Sequence, residues 1–285
     1  MSIITFANKG IREKGQTLSA AAFAAKLSID HNYKILLIST DFNDDTILKA
    51  FFRDEVKNKK QNNNPLYQGS KPNDVSNGVE GLVRMFSSNR ADGNMIKNYA
   101  KPAMVDNRLD ILAAPKTKDL SSYIQITNYY SQIAEFASTF YDVVIVDLAN
   151  KVPDEYQMKI FNLSSLIVIS LRQAQEELDN FLQLKAENEF YRKNNVAIAL
   201  GNYYKESKFT DKNVARYLKE KKYPFIFPHS IQFSDACSEG RILDFIARVK
   251  ELDGDLREDG YFYTKLNKTT AAIDYRRKEL DCGME

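Results

Sequence analysis

The chain has 285 residues, and its 40 lysines and arginines nearly balance 38 aspartates and glutamates. A net charge of +2 excludes a polycation, so any affinity for nucleic acid must come from a local patch. No apolar run approaches the roughly 20 residues of a membrane span, and the N-terminal segment lacks signal-peptide features. The two cysteines and two histidines form no zinc pattern. Together these features predict a cytoplasmic protein without a membrane partner.

Short apolar runs alternate with helical patterns along the chain. Several runs, such as VVIV within Val143–Asp147, are apolar without alternation, which is typical of strands buried on both faces. The predicted strands are Ile3–Ala7, Lys34–Ser39, Arg108–Ala113, Val143–Asp147, Leu166–Ser170, Val196–Leu200 and Pro224–Phe227, and the predicted helices are Thr17–Asp30, Asn77–Ser88, Leu120–Phe140, Gln173–Lys193, Asp211–Lys222 and Ser234–Leu252. This order predicts an α/β fold with a single doubly wound, mostly parallel sheet flanked by helices, in one domain over residues 1–285.

Two segments depart from this alternation. Residues 57–76 are polar, contain glycine and proline and have almost no apolar anchor, which predicts a mobile surface excursion. Residues 254–285 carry mixed charge and several tyrosines, which favours a closing helical tail. This tail lacks the apolar face of a membrane-binding helix.

A glycine loop follows the first predicted strand. Residues Gly10 to Thr17 fit the P-loop pattern G-x-x-x-x-G-K-[ST] except that Gln16 replaces the lysine. In such a loop, glycines let backbone N–H groups turn toward phosphate oxygens, the helix N-terminus adds a positive dipole end, and the hydroxyl holds magnesium. The pattern therefore predicts a phosphate-binding loop with Thr17 as a metal ligand.

Five further blocks occur in the order and spacing of one family. They are KILLISTDF, which ends near Asp41; YDVVIVDLAN, which contains Asp147; LSSLIVISLRQAQEELDN together with ALGNYYKESKFT, which contains Asn202; and FPHSIQFSDACSEGRIL, which contains Pro228. With the loop, these blocks resemble the ParA/MinD group of deviant P-loop ATPases over most of the chain.

This resemblance implies a P-loop NTPase-like fold with ATP and magnesium as cofactors. It places Asp41 and Asp147 as catalytic residues and, with Thr17, as metal ligands. The adenine is read by an asparagine and enclosed by a late loop in this family. The implied nucleotide-binding residues are Gly10, Ile11, Lys14, Gly15, Gln16, Thr17, Asn202 and Pro228.

The loop departs from the family pattern G-K-G-G-x-G-K-[ST] at both lysines, where Ile11 and Gln16 stand. In that family ATP lies between two protomers, and the lysine after the first glycine reaches the partner's phosphates. Loss of both charges weakens phosphate binding and hydrolysis, so any ATPase activity, which would give ADP and phosphate, is expected to be very slow or absent. A shift of the loop would let Lys9 or Lys14 supply the charge instead.

Residues 205–222 carry seven basic residues against three acidic ones. Lys212, Arg216 and Lys219 fall at i, i+4 and i+7 and so share one face of the predicted helix. One interpretation is an ordinary solvated face. The other is a sequence-independent DNA contact, which the family resemblance supports.

Three functions remain open at this point. The leading hypothesis is a ParA/MinD-like positioning or partition protein with a degenerate nucleotide site, similar in that respect to TadZ-like pilus-localising proteins, that acts as a homodimer and recruits a protein partner. The first alternative is an active partition ATPase that binds ATP, magnesium and non-specific DNA. The second is a binding scaffold that is independent of nucleotide. A nicotinamide dehydrogenase is disfavoured because no G-x-G-x-x-G follows a strand.

Overall fold

One eight-stranded sheet forms the centre of the molecule. The computed structural model describes residues 2–9, 15–53, 78–88, 95–104, 106, 108–253 and 257–283. The strands are β1 (Ser2–Ala7), β2 (Ile35–Ser39), β3 (Lys101–Pro102), β4 (Leu109–Leu112), β5 (Val143–Leu148), β6 (Leu166–Leu171), β7 (Val196–Tyr203) and β8 (Phe225–Pro228). Their order is β3-β4-β2-β5-β1-β6-β7-β8, and all neighbours are parallel except β3 with β4. The predicted fold class is confirmed.

Helices cover both faces of the sheet. In the described ranges they are α1 (Gln16–Asp30), α2 (Thr46–Phe51), α3 (Val79–Ser87), α4 (Ile96–Tyr99), α5 (Leu120–Thr127), α6 (Tyr130–Ala137), α7 (Asp154–Leu163), α8 (Gln175–Glu187), α9 (Asp211–Tyr217), α10 (Ile231–Ser238), α11 (Ile242–Val249) and α12 (Glu258–Asp281). No helix within these ranges combines the length and apolarity needed to cross a bilayer. The predicted excursion over residues 57–76 lies outside the described residues.

Two apolar cores lie on opposite faces of the sheet. Successive residues of one strand enter different cores: Ile3 and Val144 pack in the core beneath α5 to α9, whereas Ile4 and Ile145 pack in the core beneath α1 and α10 to α12. This pattern explains the unbroken apolar runs, because each strand is buried on both faces. In α1 the run Ala20–Ala25 is buried, and its five alanines let the helix lie close to the sheet.

Two long predicted helices are interrupted. The segment 120–140 divides into α5 and α6, and the segment 173–193 ends as a helix at Glu187. Asn188 then adopts an extended conformation, and its side chain accepts a hydrogen bond from the N–H of Phe190 at 2.9 Å, which caps a 3₁₀ turn over Glu189–Arg192. A local side-chain cap of this kind competes with continuation of the α-helix.

The predicted helix 211–222 is also too long. The helix ends at Tyr217, and Lys219 has a left-handed backbone (φ 55°). The N–H of Glu220 donates to the carbonyl of Ala215 at 2.8 Å, which is the 6→1 bond of a Schellman motif. Lys219 thus occupies the position at which glycine is common, and the prediction that it shares a helical face with Lys212 and Arg216 is wrong.

The segment 234–252 forms two helices instead of one. Helix α10 already begins at Ile231, where Ser230 accepts the N–H of Phe233 at 3.1 Å. It ends before Gly240, which has φ +69°, and the N–H of Arg241 closes a 6→1 bond to Ala236 at 2.8 Å. A side chain at Gly240 would meet the backbone of Phe52 at 2.3 Å, so this glycine also permits close packing against the end of α2.

Candidate functional site at the carboxyl edge of the sheet

The carboxyl end of β1 is the point where the strand order diverges. The chain extends on one side of β1 through β5, β2 and β4, and on the other through β6, β7 and β8. Asp147 near the end of β5 is in register with Phe6 of β1 and Ser39 of β2. Ligands of open α/β sheets bind at such a switch point. Helix α1 begins directly above it and brings residues 15–17 to the same place.

Gly15 allows the chain to enter α1 at this position. Its φ is +67°, a left-handed conformation that side chains disfavour. A Cβ there would lie 3.2 Å from the backbone nitrogen of Asn202 and 3.3 Å from its Cβ. The glycine therefore permits both the turn and the close approach of the β7 end to the start of α1. The neighbouring loop residues Gly10, Ile11 and Lys14 lie outside the described residues.

Gln16 turns its side chain into the sheet and is only 4% exposed. Its Nε2 donates to the carbonyl oxygens of Phe6 at 3.0 Å and Leu148 at 3.1 Å, and to Oδ1 of Asp147 at 2.6 Å. Its Oε1 accepts from Nδ2 of Asn8 at 2.6 Å. Both N–H groups of the amide are thus engaged by the strand ends. Gln16 holds β1 and β5 together and presents no positive charge.

Asp147 is a buried carboxylate with a raised pKa. The pKa of Asp147 is raised to about 7, chiefly by burial; hydrogen bonds from Gln16 and Thr17 lower it, and the charges of Asp41 and Asp44 add to the increase. A lysine at position 16 would place a charge against this carboxylate and lower its pKa. The neutral amide of Gln16 leaves the carboxylate close to half-protonated near neutral pH.

Asp41 lies at the same edge, beyond the end of β2. Its Oδ1 accepts the N–H of Phe42 at 2.6 Å and lies 3.5 Å from Nζ of Lys151, in the loop after β5. Together with the Thr17 hydroxyl and the Asp147 carboxylate, it forms a set of hard oxygen donors of the kind that Mg²⁺ prefers. In chemical type, these three donors suit a magnesium ion.

Lys9 is directed toward α7. Its Nζ donates to Oε1 of Gln157 at 2.7 Å and to Oδ1 of Asp154 at 3.0 Å, both on α7, and lies 5.9 Å from the ring centre of Phe161. Its side chain is 19% exposed. In this arrangement the Lys9 ammonium is committed to α7, which counts against Lys9 as the substitute for the missing loop lysine. Lys14 lies outside the described residues.

A cavity of about 220 Å³ adjoins the start of α1. Gly15, Asn202 and Pro228 all line it, and α12 closes it from below. The Asn202 Oδ1 and the His229 Nδ1 are 2.7 Å apart, and the His229 ring stacks on Tyr204 with ring centres 4.5 Å apart. The cavity combines apolar walls with a polar group at its mouth, which suits a planar heteroaromatic ring.

The structure brings most of the sequence-predicted site residues to one region. Gln16, Thr17, Asp41 and Asp147 meet at the ends of β1, β2 and β5, and Gly15, Asn202 and Pro228 line the adjacent cavity. Sequence reasoning did not single out Asn8 and Lys151. Asn8 directly follows a predicted strand and could have been found by that position, whereas the approach of Lys151 to Asp41 depends on the path of a loop.

The basic residues at α9 are not among those that line this cavity. Lys212 and Arg216 are exposed on the helix, and Lys219 is exposed beyond its end. The neighbouring Tyr217 hydroxyl bonds to Asp179 of α8, so the helix is anchored and its basic face points to solvent. This arrangement is compatible with both interpretations of the patch.

The chain folds as a doubly wound α/β sheet with its candidate site at the switch point of the strand order. No family model and no curated protein sequence matches the chain, but solved structures do. Similar structures include a ParA family ATPase from Chlorobium tepidum (17% identity, TM-score 0.63, covering 96% of this chain and 98% of that one) and a candidate plasmid partition protein from Borrelia burgdorferi bound to AMPPNP (19%, 0.60, 95% and 99%). MinD from Pyrococcus horikoshii complexed with Mg-ADP is also similar (13%, 0.61, 95% and 95%). The chain has the ParA/MinD fold.

Proposed function

We propose that this protein is a ParA/MinD-like positioning or partition protein with a degenerate nucleotide site. It acts by dimerisation and by recruiting a protein partner, and its cargo is a plasmid, a chromosome region, or a pilus, secretion or conjugation assembly. The fold supports the general class, because partition and cell-division ATPases share it over nearly the whole chain. The replacement of the loop lysine by Gln16 supports the proposal that the nucleotide site is degenerate.

The observation that carries the proposal is the environment of Gln16. A lysine ammonium about 4 Å from a phosphate contributes about 4 kcal/mol at an effective dielectric near 20, and charge clamps on a transferring phosphoryl group contribute about three decades of rate or more. Gln16 supplies no such charge, and its amide is occupied by Asp147 and two strand carbonyls. The loss of this charge therefore lowers the rate of hydrolysis more than it lowers the affinity for nucleotide.

Nucleotide binding itself is supported by the remaining residues. The cavity beside Asn202 and Pro228 accommodates a base, and the oxygen donors of Thr17, Asp41 and Asp147 suit the magnesium ion of an Mg–ATP complex. Bound magnesium would neutralise phosphate charge. The residues of this chain orient the base, exclude water from the Asp147 carboxylate and hold the start of α1 against β7.

Titration calorimetry with Mg–ATP and Mg–ADP, combined with phosphate release, tests the proposal. We expect weak binding and negligible turnover in the native protein, and about a tenfold or greater gain in ATP affinity for Gln16→Lys. Gln16→Met has a similar length without charge and serves as the matched control, which should show no gain.

Two outcomes would favour the alternatives. Several turnovers per minute by the native protein, abolished by Asp41→Ala, would establish an active partition ATPase in which another cation, such as Lys14, acts at the phosphates. Absence of any nucleotide binding, in the native protein and in Gln16→Lys alike, would establish a nucleotide-independent scaffold.

A further inference from the structure

A groove of about 410 Å³ lies at the amino edge of the sheet, opposite the nucleotide site. It is formed by the second half of α8, the first residues of β7 and the segment after α9. Because β7 begins at Val196 and ends at Tyr203 near the cavity of the candidate site, the length of this strand separates the two places. The groove therefore takes no part in the chemistry discussed above.

The floor of the groove is apolar. Leu218 and Ile198 are almost fully buried beneath it, and Leu182 and Val196 are half-buried and open toward it. These four aliphatic side chains come from a helix, a strand and a helix end that the fold brings together. They offer a shallow apolar surface that water covers in the isolated chain.

The rim is cationic, with four basic residues and one acidic residue. Two of the basic side chains already have roles within the fold. Arg192 donates to the carbonyl oxygens of Lys185 at 2.7 Å and Ala186 at 3.2 Å and so caps the end of α8, while the Lys185 ammonium pairs with the Glu220 carboxylate.

The other two basic residues, Lys193 and Lys219, carry uncompensated charge. Among the ion pairs between described residues, none involves Lys193 or Lys219. Lys193 lies over the Phe190 ring at 5.0 Å, and the left-handed backbone of Lys219 fixes the direction in which its exposed side chain leaves α9. The groove thus presents two available cations beside an apolar floor.

We propose that this groove binds an acidic amphipathic segment of a partner protein. Its apolar side chains cover Leu182 and Val196, and its carboxylates pair with Lys193 and Lys219. Charge complementarity selects this occupant, since a basic or neutral helix would leave both lysines unpaired, and the backbone of a DNA duplex would leave the apolar floor uncovered. The inference gives the partner recruitment proposed above a chemical class and rests on that proposal, although the groove does not depend on nucleotide.

The test uses the full chain without nucleotide and a fluorescein-labelled helical peptide of about three turns, with leucines at i, i+3, i+4 and i+7 and glutamates elsewhere. Fluorescence anisotropy measures binding. Two matched peptides separate the contributions: one replaces the leucines with serine at constant charge, and the other replaces the glutamates with glutamine at constant apolar area. We expect each to bind at least about tenfold more weakly than the parent peptide.

Two groove variants and two controls locate the site. Leu182→Glu on the floor and the pair Lys193→Glu with Lys219→Glu on the rim are each expected to weaken binding about tenfold or more. Leu184→Glu changes a half-buried leucine of α8 that does not line the groove, and the pair Lys205→Glu with Lys208→Glu makes the same charge change in another loop. Both controls are expected to retain the native affinity.

Circular dichroism and the melting temperature establish whether each variant folds. If Leu182→Glu does not fold, the variant with Lys193→Glu and Lys219→Glu still tests whether the peptide binds in the groove. Equal binding of the serine peptide, or native affinity in the rim pair, would overturn the proposal. So would a groove-dependent preference for a DNA duplex over the peptide. Because no nucleotide is present, failure here leaves the proposed function intact, and failure of ATP binding leaves the groove intact.

Discussion

At the scale of single residues, Asp147 links the stability of the fold to pH. Its pKa in the folded protein, about 7, lies above the ordinary value of 3.8, so the folded state holds a proton that the unfolded state releases between about pH 4 and pH 7. Stability attributable to this group therefore falls as pH rises through that window and stays reduced above it. The shift corresponds to about 4 kcal/mol at most.

Replacing Asp147 with asparagine removes the loss of folding stability that follows from ionising this buried carboxyl group. An asparagine Oδ1 still accepts from Gln16, so we expect Asp147→Asn to exceed the native protein in free energy of unfolding by about 2–4 kcal/mol at pH 8.5, with the gain falling to about 1–2 kcal/mol at pH 5, where the carboxyl group of the unfolded chain is already mostly ionised. Urea denaturation at both pH values measures it. Asp244→Asn, at an exposed position, is the control and should show no such pH-dependent gain. A variant less stable than the native protein at pH 8.5 would mean that the ionised carboxylate is stabilised by its surroundings.

Gly15 permits a prediction about backbone and packing together. Gly15→Ala places a side chain in a left-handed backbone, which costs about 1–2 kcal/mol, and presses it against Asn202 at 3.2–3.3 Å. Gly283 is the matched control, because it has a similar φ of +63° with no atom within 4 Å of the added Cβ. Urea denaturation should show a clearly larger loss for Gly15→Ala than for Gly283→Ala. Equal losses would mean that the Asn202 contact relaxes without cost.

At the scale of elements, the strands were predictable and the helix ends were not. Unbroken apolar runs such as VVIV identify strands in any α/β sheet, whereas β3 has only two exposed residues and carries no pattern. Gly240 was a visible signal for the end of α10, but Lys219 takes the left-handed position after α9 without being glycine. The inward orientation of Gln16 depends on the meeting of β1 and β5 and could not be derived from the loop sequence alone.

The basic face of α9 leads to a separate test. If Lys212 and Arg216 contact phosphates, affinity for non-specific duplex DNA should fall with salt with a slope of about −0.9 per contact, and Lys212→Glu with Arg216→Glu should abolish it. Because Lys219 lies beyond the helix, Lys219→Glu alone reports its contribution. Filter binding over a salt series with the folded variants measures these effects. Unchanged affinity in the double variant would assign the face to ordinary solvated surface.

At the scale of the whole molecule, the sheet separates the two proposed sites. The residues proposed to bind nucleotide lie at the carboxyl ends of the strands, and the groove proposed for an acidic segment lies at the amino ends, beside α8 and α9. Such an arrangement lets a partner bind without covering the nucleotide site.

Assembly gives the last prediction. In the family that the chain resembles, lysines neutralise two ATP molecules that face each other between protomers, whereas this chain has Ile11 and Gln16 at those positions. We therefore expect a dimer that is largely independent of nucleotide, measured by sedimentation velocity with and without Mg–ATP. An isoleucine fully buried at the contact would add about 1.5–3 kcal/mol per side chain, so Ile11→Ser should weaken the dimer.

The double variant Ile11→Lys with Gln16→Lys restores both charges and should make dimerisation respond to ATP, while Ile11→Lys with Gln16→Met, which restores only one, should respond less. A native protein that is monomeric and dimerises only when ATP is added would contradict this prediction. Another basic residue would then neutralise the ATP phosphates in the dimer. Lys14 and Lys151 would be the residues to replace next: Lys151 lies 3.5 Å from Asp41 at the edge of the site, and Lys14 belongs to the loop itself.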